Sequence, residues 1–356
     1  MGDQPILKSH RHPEIDTTIV AVGSVKFGDG SYPVLAGPTA VESEDQIIEA
    51  ARAVAAAGGS VLRAGTAIAG SSPYEYKGVG PDAVWMLEHA ARQTGLPVST
   101  EVLQPDHVAE VIDHVDILEI GPDNMQNFVL LREVGGTDRA VIVHRAPAAT
   151  IDEWLLAAEY VLDAGNERVV LCERGSRGFD PRTSDTIDIS VVPAVQRLSH
   201  LPVVVDPTAG DAELLAPLAL AARSAGADGL LVPVHADPAN AQAGNGSHLD
   251  AAQFAVLMET LGIPSMRDEI DRIDRQLVKL LAARLNSSVE IAKIKDGRGL
   301  DIHSPDREEE LIAETREDAE GLGIDPDYAE ELMKVVLHHS RAAQRRALGK
   351  SRGSDG

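Results

Sequence analysis

Residues 266–307 read MRDEIDRIDRQLVKLLAARLNSSVEIAKIKDGRGLDIHSPDR. Met266, Ile270, Ile273, Leu277, Leu280, Leu281 and Leu285 recur at helical spacing, with Asp268, Arg272, Arg275 and Lys279 on the other faces. The spacing predicts one long helix, capped near Ser265 and ended at Gly297 and Gly299, then the start of a second helix. Arg284 and Lys295 lie about three turns apart on one face, at positions in the apolar pattern where a solvated charge is out of place. Arg267 stands roughly 25 Å along the axis from Arg284 and about a quarter-turn off that face. A straight helix cannot bring both to one small ligand, so a shared site requires Arg267 from a second protomer. Arg307 and Glu308 follow the break, and Ser340 and Gln344 sit four residues apart in the last predicted helix.

Outward from this stretch, the order RDEIDRID, LLAAR, IAKIK, DREEE and HSRAAQ resembles the all-helical chorismate mutase domain over about a quarter of the chain. The bland alternative is an amphipathic dimerisation hairpin with incidental charges. The resemblance implies the rearrangement of chorismate, a dicarboxylate, to prephenate. An ether C–O bond breaks as a C–C bond forms, with no covalent enzyme intermediate. The catalyst folds the dianion and stabilises charge at the ether oxygen. By resemblance, Arg284 and the partner protomer's copy of Arg267 hold carboxylates, Lys295 and Gln344 donate to the ether oxygen, and Glu308 accepts from the ring hydroxyl. Arg307 and Ser340 complete the wall. Ser304 stands where the family often has an acidic residue.

The chain has 356 residues and a net charge of −24, of which residues 1–264 carry −20 and the remainder −4. So acidic a chain is not expected to bind nucleic acid, and an anionic substrate needs a locally positive pocket. No apolar run reaches membrane-spanning length, the N-terminus lacks a signal-like apolar segment, and Cys172 is the only cysteine. A cytoplasmic protein without membrane partners is the expectation.

Between residues 32 and 260, eight short apolar runs alternate with alanine-rich helical segments. The runs are YPVLAGPT (32–39), SVLRAGT (60–66), PVSTEV (97–102), DILEIG (116–121), AVIVHRA (140–146), VVLCERG (169–175), PVVVDPT (202–208) and GLLVPVH (229–235). Eight such units predict an α/β fold, a (β/α)8 TIM barrel, with a doubly wound sheet as the alternative. The barrel is followed by an all-α three-helix domain. The expected organisation is an N-terminal extension over 1–31 with a small hairpin or plug, the barrel over 32–260, the helical domain over 265–347 and a disordered tail over 348–356. In a barrel, chemistry sits at the C-terminal strand ends. Those ends supply Thr39, Arg63, Glu101, Glu119, His144, Arg145, Glu173, Arg174, Asp206 and His235. Salt-bridged layers closing the mouth are the competing role for each.

The blocks LAGPTAVES, SSPYEYKG, GLPVSTEV, EIGPDNMQNF, AATIDEWLLAAEYVLDAGN, LCERGSRGF, HLPVVVDPT and GADGLLVPVH resemble a type I 3-deoxy-D-arabino-heptulosonate 7-phosphate (DAHP) synthase, a subclass sometimes fused to a chorismate mutase. That family joins phosphoenolpyruvate to erythrose 4-phosphate on a metal held by Cys, His, Glu and Asp. The matching places here carry Thr39, Ala209, Pro233 and Gly244. The family's Lys-Pro-Arg-Thr-Ser run is RAGTAIAGSS, its phosphoenolpyruvate arginine is Asp123, and a lysine is His144, whereas Arg145, Arg174 and Arg177 stay. The expectation is therefore a homodimeric or larger chorismate mutase fused to a metal-free, cofactor-free barrel. That barrel would act on a chorismate- or prephenate-related compound in specialised metabolism, through Arg63, Glu101, His144, Arg145, Glu173, Arg174, Asp206 and His235. A genuine bifunctional DAHP synthase and chorismate mutase is one alternative. A non-catalytic docking or regulatory barrel is the other.

Overall fold

The computed structural model describes residues 7–11, 15–68, 74, 76–178, 185–208, 212–244, 247–301 and 304–349. Ala209 and the tail beyond 349 lie outside the described residues, as does all but Ala67 and Ile68 of the inserted AIAGS segment. The chain divides into two compact units, residues 1–267 and 268–356.

The first unit opens on an antiparallel hairpin, β1 (Val20–Val22) and β2 (Val25–Phe27). Eight parallel strands then close a barrel. They are β3 (Val34–Gly37), β4 (Val61–Arg63), β5 (Val98–Glu101), β6 (Ile117–Ile120), β7 (Ala140–His144), β8 (Val169–Glu173), β11 (Val203–Val205) and β12 (Gly229–Pro233). A two-residue ladder, β9 (Ser176–Arg177) with β10 (Asp185–Thr186), interrupts the connection after β8. All eight predicted strand runs are strands in this barrel, and β12 pairs with β3 to close it. Outside stand α1 (Glu44–Ala56), α2 (Asp82–Thr94), α3 (Pro105–Val111), α4 (Phe128–Gly135), α5 (Ile151–Asp163), α6 (Val191–Leu198), α7 (Ala212–Ser224) and α8 (Ala251–Thr260).

The strand sequences are apolar throughout because both faces are covered. Alternate residues face opposite ways. Val34, Leu62, Leu118, Val141, Leu171, Val203 and Leu230 pack under the helices. Leu35, Val61, Ile117, Ala140, Ile142, Val170, Cys172, Val204 and Leu231 fill the barrel interior. The hairpin joins that inner cluster through Val20, Val22 and Phe27, all buried, which puts a plug at the N-terminal ends of the strands. Full burial of such side chains contributes about 1.5–3 kcal/mol each. Local signals set the helix starts. Thr150 and Glu153 form a reciprocal capping box on α5, and Asp250 and Gln253 form one on α8.

The second unit holds most of α9 (Met266–Gly297), then α10 (Pro305–Gly321) and α11 (Pro326–Ala347). The last two are joined by the turn at residues 322–325 and stapled by Arg316, which pairs with Asp327 (2.7 Å) and Glu330. The apolar stripe of α9 is exposed at Met266, Ile270, Ile273, Leu277, Leu280 and Leu281. No helix among the described residues is long and apolar enough to cross a membrane.

Candidate functional site

The mouth of the barrel is a cavity of about 310 Å³ at the C-terminal ends of the strands. Thr39, Arg63, Glu101, Asp123, Arg174, Asp206, Pro233, Gly244 and Ser247 are among its lining. Strand alternation sorts the strand-end candidates. Arg63, Ser99, Glu101, Glu119 and His144 share the inward parity of the interior residues. Arg63 Nε donates to both oxygens of the fully buried Glu119 carboxylate at 3.0 Å. Ser99 Oγ donates to Glu119 Oε1 at 2.6 Å, and His144 Nε2 lies 3.0 Å from Oε2. Burial opposes the charge on Glu119, but Arg63 and His144 outweigh it and hold the carboxyl well below its ordinary range. Burial likewise opposes the charge on Arg63, and Glu119, Asp206 and Glu101 more than restore it. His144 is buried behind this pair and does not line the cavity.

Glu101 sits next to Glu119 in register and lines the cavity. Burial raises its pKa, against the pull of His144 and Arg63, which favours its protonated form. Gly121 makes room for it, since a Cβ there would lie 1.8 Å from Glu101 Oε1. Across the cavity Arg174 Nε is 3.4 Å from Asp206 Oδ2, and Asp206 Oδ1 accepts from the Thr208 amide at 3.0 Å.

Besides His144, three of the expected pocket residues stand off the cavity lining. Arg145 and Glu173 have the opposite parity and form a buried pair at 3.0 Å outside the cavity, in which Arg145 also donates to the Ala149 carbonyl at 2.9 Å. His235 is buried, 3.4 Å from Glu42 Oε1, and its ring lies 5.3 Å from that of His248. The locally positive pocket expected for an anionic ligand is also qualified. The lining carries Arg63 and Arg174 against Glu101, Asp123 and Asp206. Glu42, Ser99 and His248 were missed in the sequence; alternation in VSTE would have paired Ser99 with Glu101, but nothing local flags His248.

His248 carries a pH signature. Burial first, then His235 and Arg63, push its pKa from 6.5 down to about 4. The unfolded chain takes up this proton below about pH 6.5 and the folded chain only below about 4. The corresponding stability is present above that window and lost as pH falls through it. We expect guanidinium unfolding to report about 2 kcal/mol less stability from this group at pH 5 than at pH 7. His248→Gln flattens that difference.

In the helical unit Arg284 is half-buried and donates from Nη1 to Ser340 Oγ at 2.8 Å, and Gln344 Nε2 donates to the Ser288 carbonyl at 2.9 Å. These bonds bring α9 and α11 together around Arg284, Ser340 and Gln344. Glu308 pairs with Arg341 at 2.8 Å, a partner the sequence reading omitted. Arg307 is exposed and pairs along its own helix with Glu310, and lies 3.7 Å from Glu314. Lys295 is half-buried in the last turn of α9. Arg267 is exposed at the start of that helix, roughly 25 Å along the axis from Arg284 in the straight-helix estimate.

A closed (β/α)8 barrel with an arginine- and carboxylate-lined mouth, followed by a helical unit with a half-buried arginine, defines a two-part enzyme class. Residues 13–263 match the DAHP synthetase I family, and residues 266–345 match chorismate mutase type II. The chain belongs to the DAHP synthetase I family. It is 39% identical over 252 residues to phospho-2-dehydro-3-deoxyheptonate aldolase of Thermotoga maritima, covering 70% of this chain and 74% of that protein. The crystal structure of the Thermotoga maritima aldolase (DAHP synthase) superposes with a TM-score of 0.69 at 37% identity, covering 73% of this chain and 76% of that one. The helical part is 37% identical over 82 residues to the T-protein of Enterobacter agglomerans, 23% of this chain and 22% of that protein.

The family resemblance implies a divalent metal at the mouth. Thr39, Pro233 and Gly244 line the cavity at three of the places where the resemblance puts ligands. Among the described residues no group of three or more His, Cys, Asp or Glu is arranged to hold an ion.

Proposed function

We propose that the chain is bifunctional, a chorismate mutase fused to a synthase barrel of the DAHP class. The observation that carries the first half is the Arg284–Ser340 contact with Gln344 one turn further along α11. A guanidinium held by a neutral hydroxyl and a weakly accepting thioether, Met333 Sδ at 4.0 Å, keeps its charge for a carboxylate. Gln344 gives one amide N–H to the Ser288 carbonyl and keeps a second for an ether oxygen as its C–O bond breaks. The enzyme's work is folding the substrate and stabilising charge, with no proton transfer required. Arg267 enters this site from a second copy of the chain. The exposed apolar stripe of α9 supports that dimer, since a second stripe would cover it.

For the barrel, the family match and the similarity to the Thermotoga aldolase favour the condensation of phosphoenolpyruvate with erythrose 4-phosphate over the metal-free, chorismate-related activity expected from the sequence. Arg63 and Arg174 are the cavity cations available for the anionic substrates, and Glu101 is the candidate acid. One observation favours the second reading, a barrel diverged toward another compound. Both lining arginines already face carboxylates, so two phosphorylated substrates would meet an acidic wall.

Purified full-length protein, given chorismate in one reaction and the two phosphorylated substrates in another, separates these readings by NMR. Prephenate from the first and heptulosonate phosphate with released phosphate from the second are expected. Prephenate alone would leave the mutase and sink the synthase half.

A further inference from the structure

We propose that His248 fills the place of a metal ion at the barrel mouth, so that this barrel works without a bound divalent cation. The inference rests on the family reading for where the metal and its ligands would stand and for the reaction they would serve.

Gly244 adopts φ +93°, and a Cβ built on it would lie 2.3 Å from His248 Cε1 and 2.6 Å from Thr39 Oγ1. Any side chain at 244, a metal-binding carboxylate included, needs the space that the imidazole and the Thr39 hydroxyl occupy. The ring is tied in place. The Thr39 amide donates to His248 Nε2 at 3.0 Å, and Thr39 Oγ1 lies 3.0 Å from the same nitrogen.

The bonding also decides which face each histidine shows. An amide N–H can only donate, so His248 Nε2 is the acceptor and the ring proton is on Nδ1. His235 follows the same rule, because its Nδ1 accepts from the Asp237 amide at 2.9 Å, leaving the proton on Nε2. The lone pair with which a neutral imidazole ligates a metal is therefore consumed in both rings. The other ring nitrogens carry hydrogen: His248 Nδ1 is buried without a hydrogen-bond partner, and His235 Nε2 faces Glu42 Oε1 at 3.4 Å. A metal-binding histidine shows the reverse arrangement, with its lone pair on the ion and its N–H given to the protein. Thr39 and Pro233 supply no replacement, as a threonine hydroxyl is a weak donor and a proline side chain has none. Neither ring therefore offers a free lone pair to a cation beside the cavity.

Manganese(II) is the probe. Full-length protein is titrated with it while free Mn²⁺ is followed by electron paramagnetic resonance, and melting is compared in Mn²⁺ and in EDTA. The expected result is no site tighter than roughly 1 mM, an unchanged melting temperature, and an unbroadened His248 ring signal in NMR. One ion per chain bound at micromolar level, and lost in His235→Ala, would overturn the proposal. A second pair of variants tests the plug itself. Thr39→Cys, Ala209→His, Pro233→Glu and Gly244→Asp are combined with His248→Ala or with His248 kept. Binding should appear in the first and be about 100-fold weaker in the second. Equal binding in both would reject the plug; if either fails to fold, the unmodified protein's titration decides. The synthase assay is independent. Heptulosonate phosphate formed equally in EDTA keeps both readings, formation only with bound Mn²⁺ removes this one, and no formation without Mn²⁺ binding removes only the synthase.

Discussion

Arg284→Ala lowers kcat/KM for chorismate on the order of a thousandfold while the helical signal in circular dichroism stays in place. The guanidinium is the half-buried cation that ties α9 to α11, and its loss leaves a substrate carboxylate unpaired in a partly desolvated site. Truncating one member of such a charged pair costs about 2–5 kcal/mol, and each 1.36 kcal/mol is a tenfold change in rate. Arg284→Lys recovers only part of this, because an ammonium cannot grip a carboxylate with two parallel bonds. Unchanged turnover in Arg284→Ala would remove the mutase reading.

Glu119→Ala unfolds the barrel at lower denaturant, with a loss of about 3–5 kcal/mol. The carboxylate is fully buried and accepts from Arg63, Ser99 and His144, so its removal strands a guanidinium and two other donors inside the mouth. Glu119→Gln keeps the shape and one acceptor and falls between the two. The folded carboxyl lies below its ordinary range, so its contribution is present above the ordinary carboxylate pKa and disappears only as pH falls through the folded value. Equilibrium unfolding in guanidinium checks both variants; wild-type stability in Glu119→Ala would show that the network contributes nothing net.

Much of the barrel was legible because parallel strands buried on both sides are uniformly apolar, as AVIVH and VVLCE are. The mouth was legible in residue type and less so in geometry. Arg145 directly follows His144 in sequence, yet alternation sends one outward to Glu173 and the other inward to Glu119. A list of strand ends alone does not separate them. His248 was hidden for a different reason: its partner Thr39 is 209 residues away, just past the strand that opens the barrel. In the helical unit the α9 stripe was plain from its period, whereas the Glu308–Arg341 pair depends on how two helices turn against each other.

The closure of the barrel between its first strand and its last has a consequence for biosynthesis. β3 hydrogen-bonds to β4 and to β12, so one edge of it stays open until the ribosome has delivered residues 229–233. The same holds for the floor, where Phe27 and its hairpin have no complete ring to sit under before then. A ring that must wait for its most distant pairing folds slowly and exposes a strand edge meanwhile. The helical sequence is translated after the closing strand, so its sticky stripe leaves the ribosome only when the barrel has all its parts.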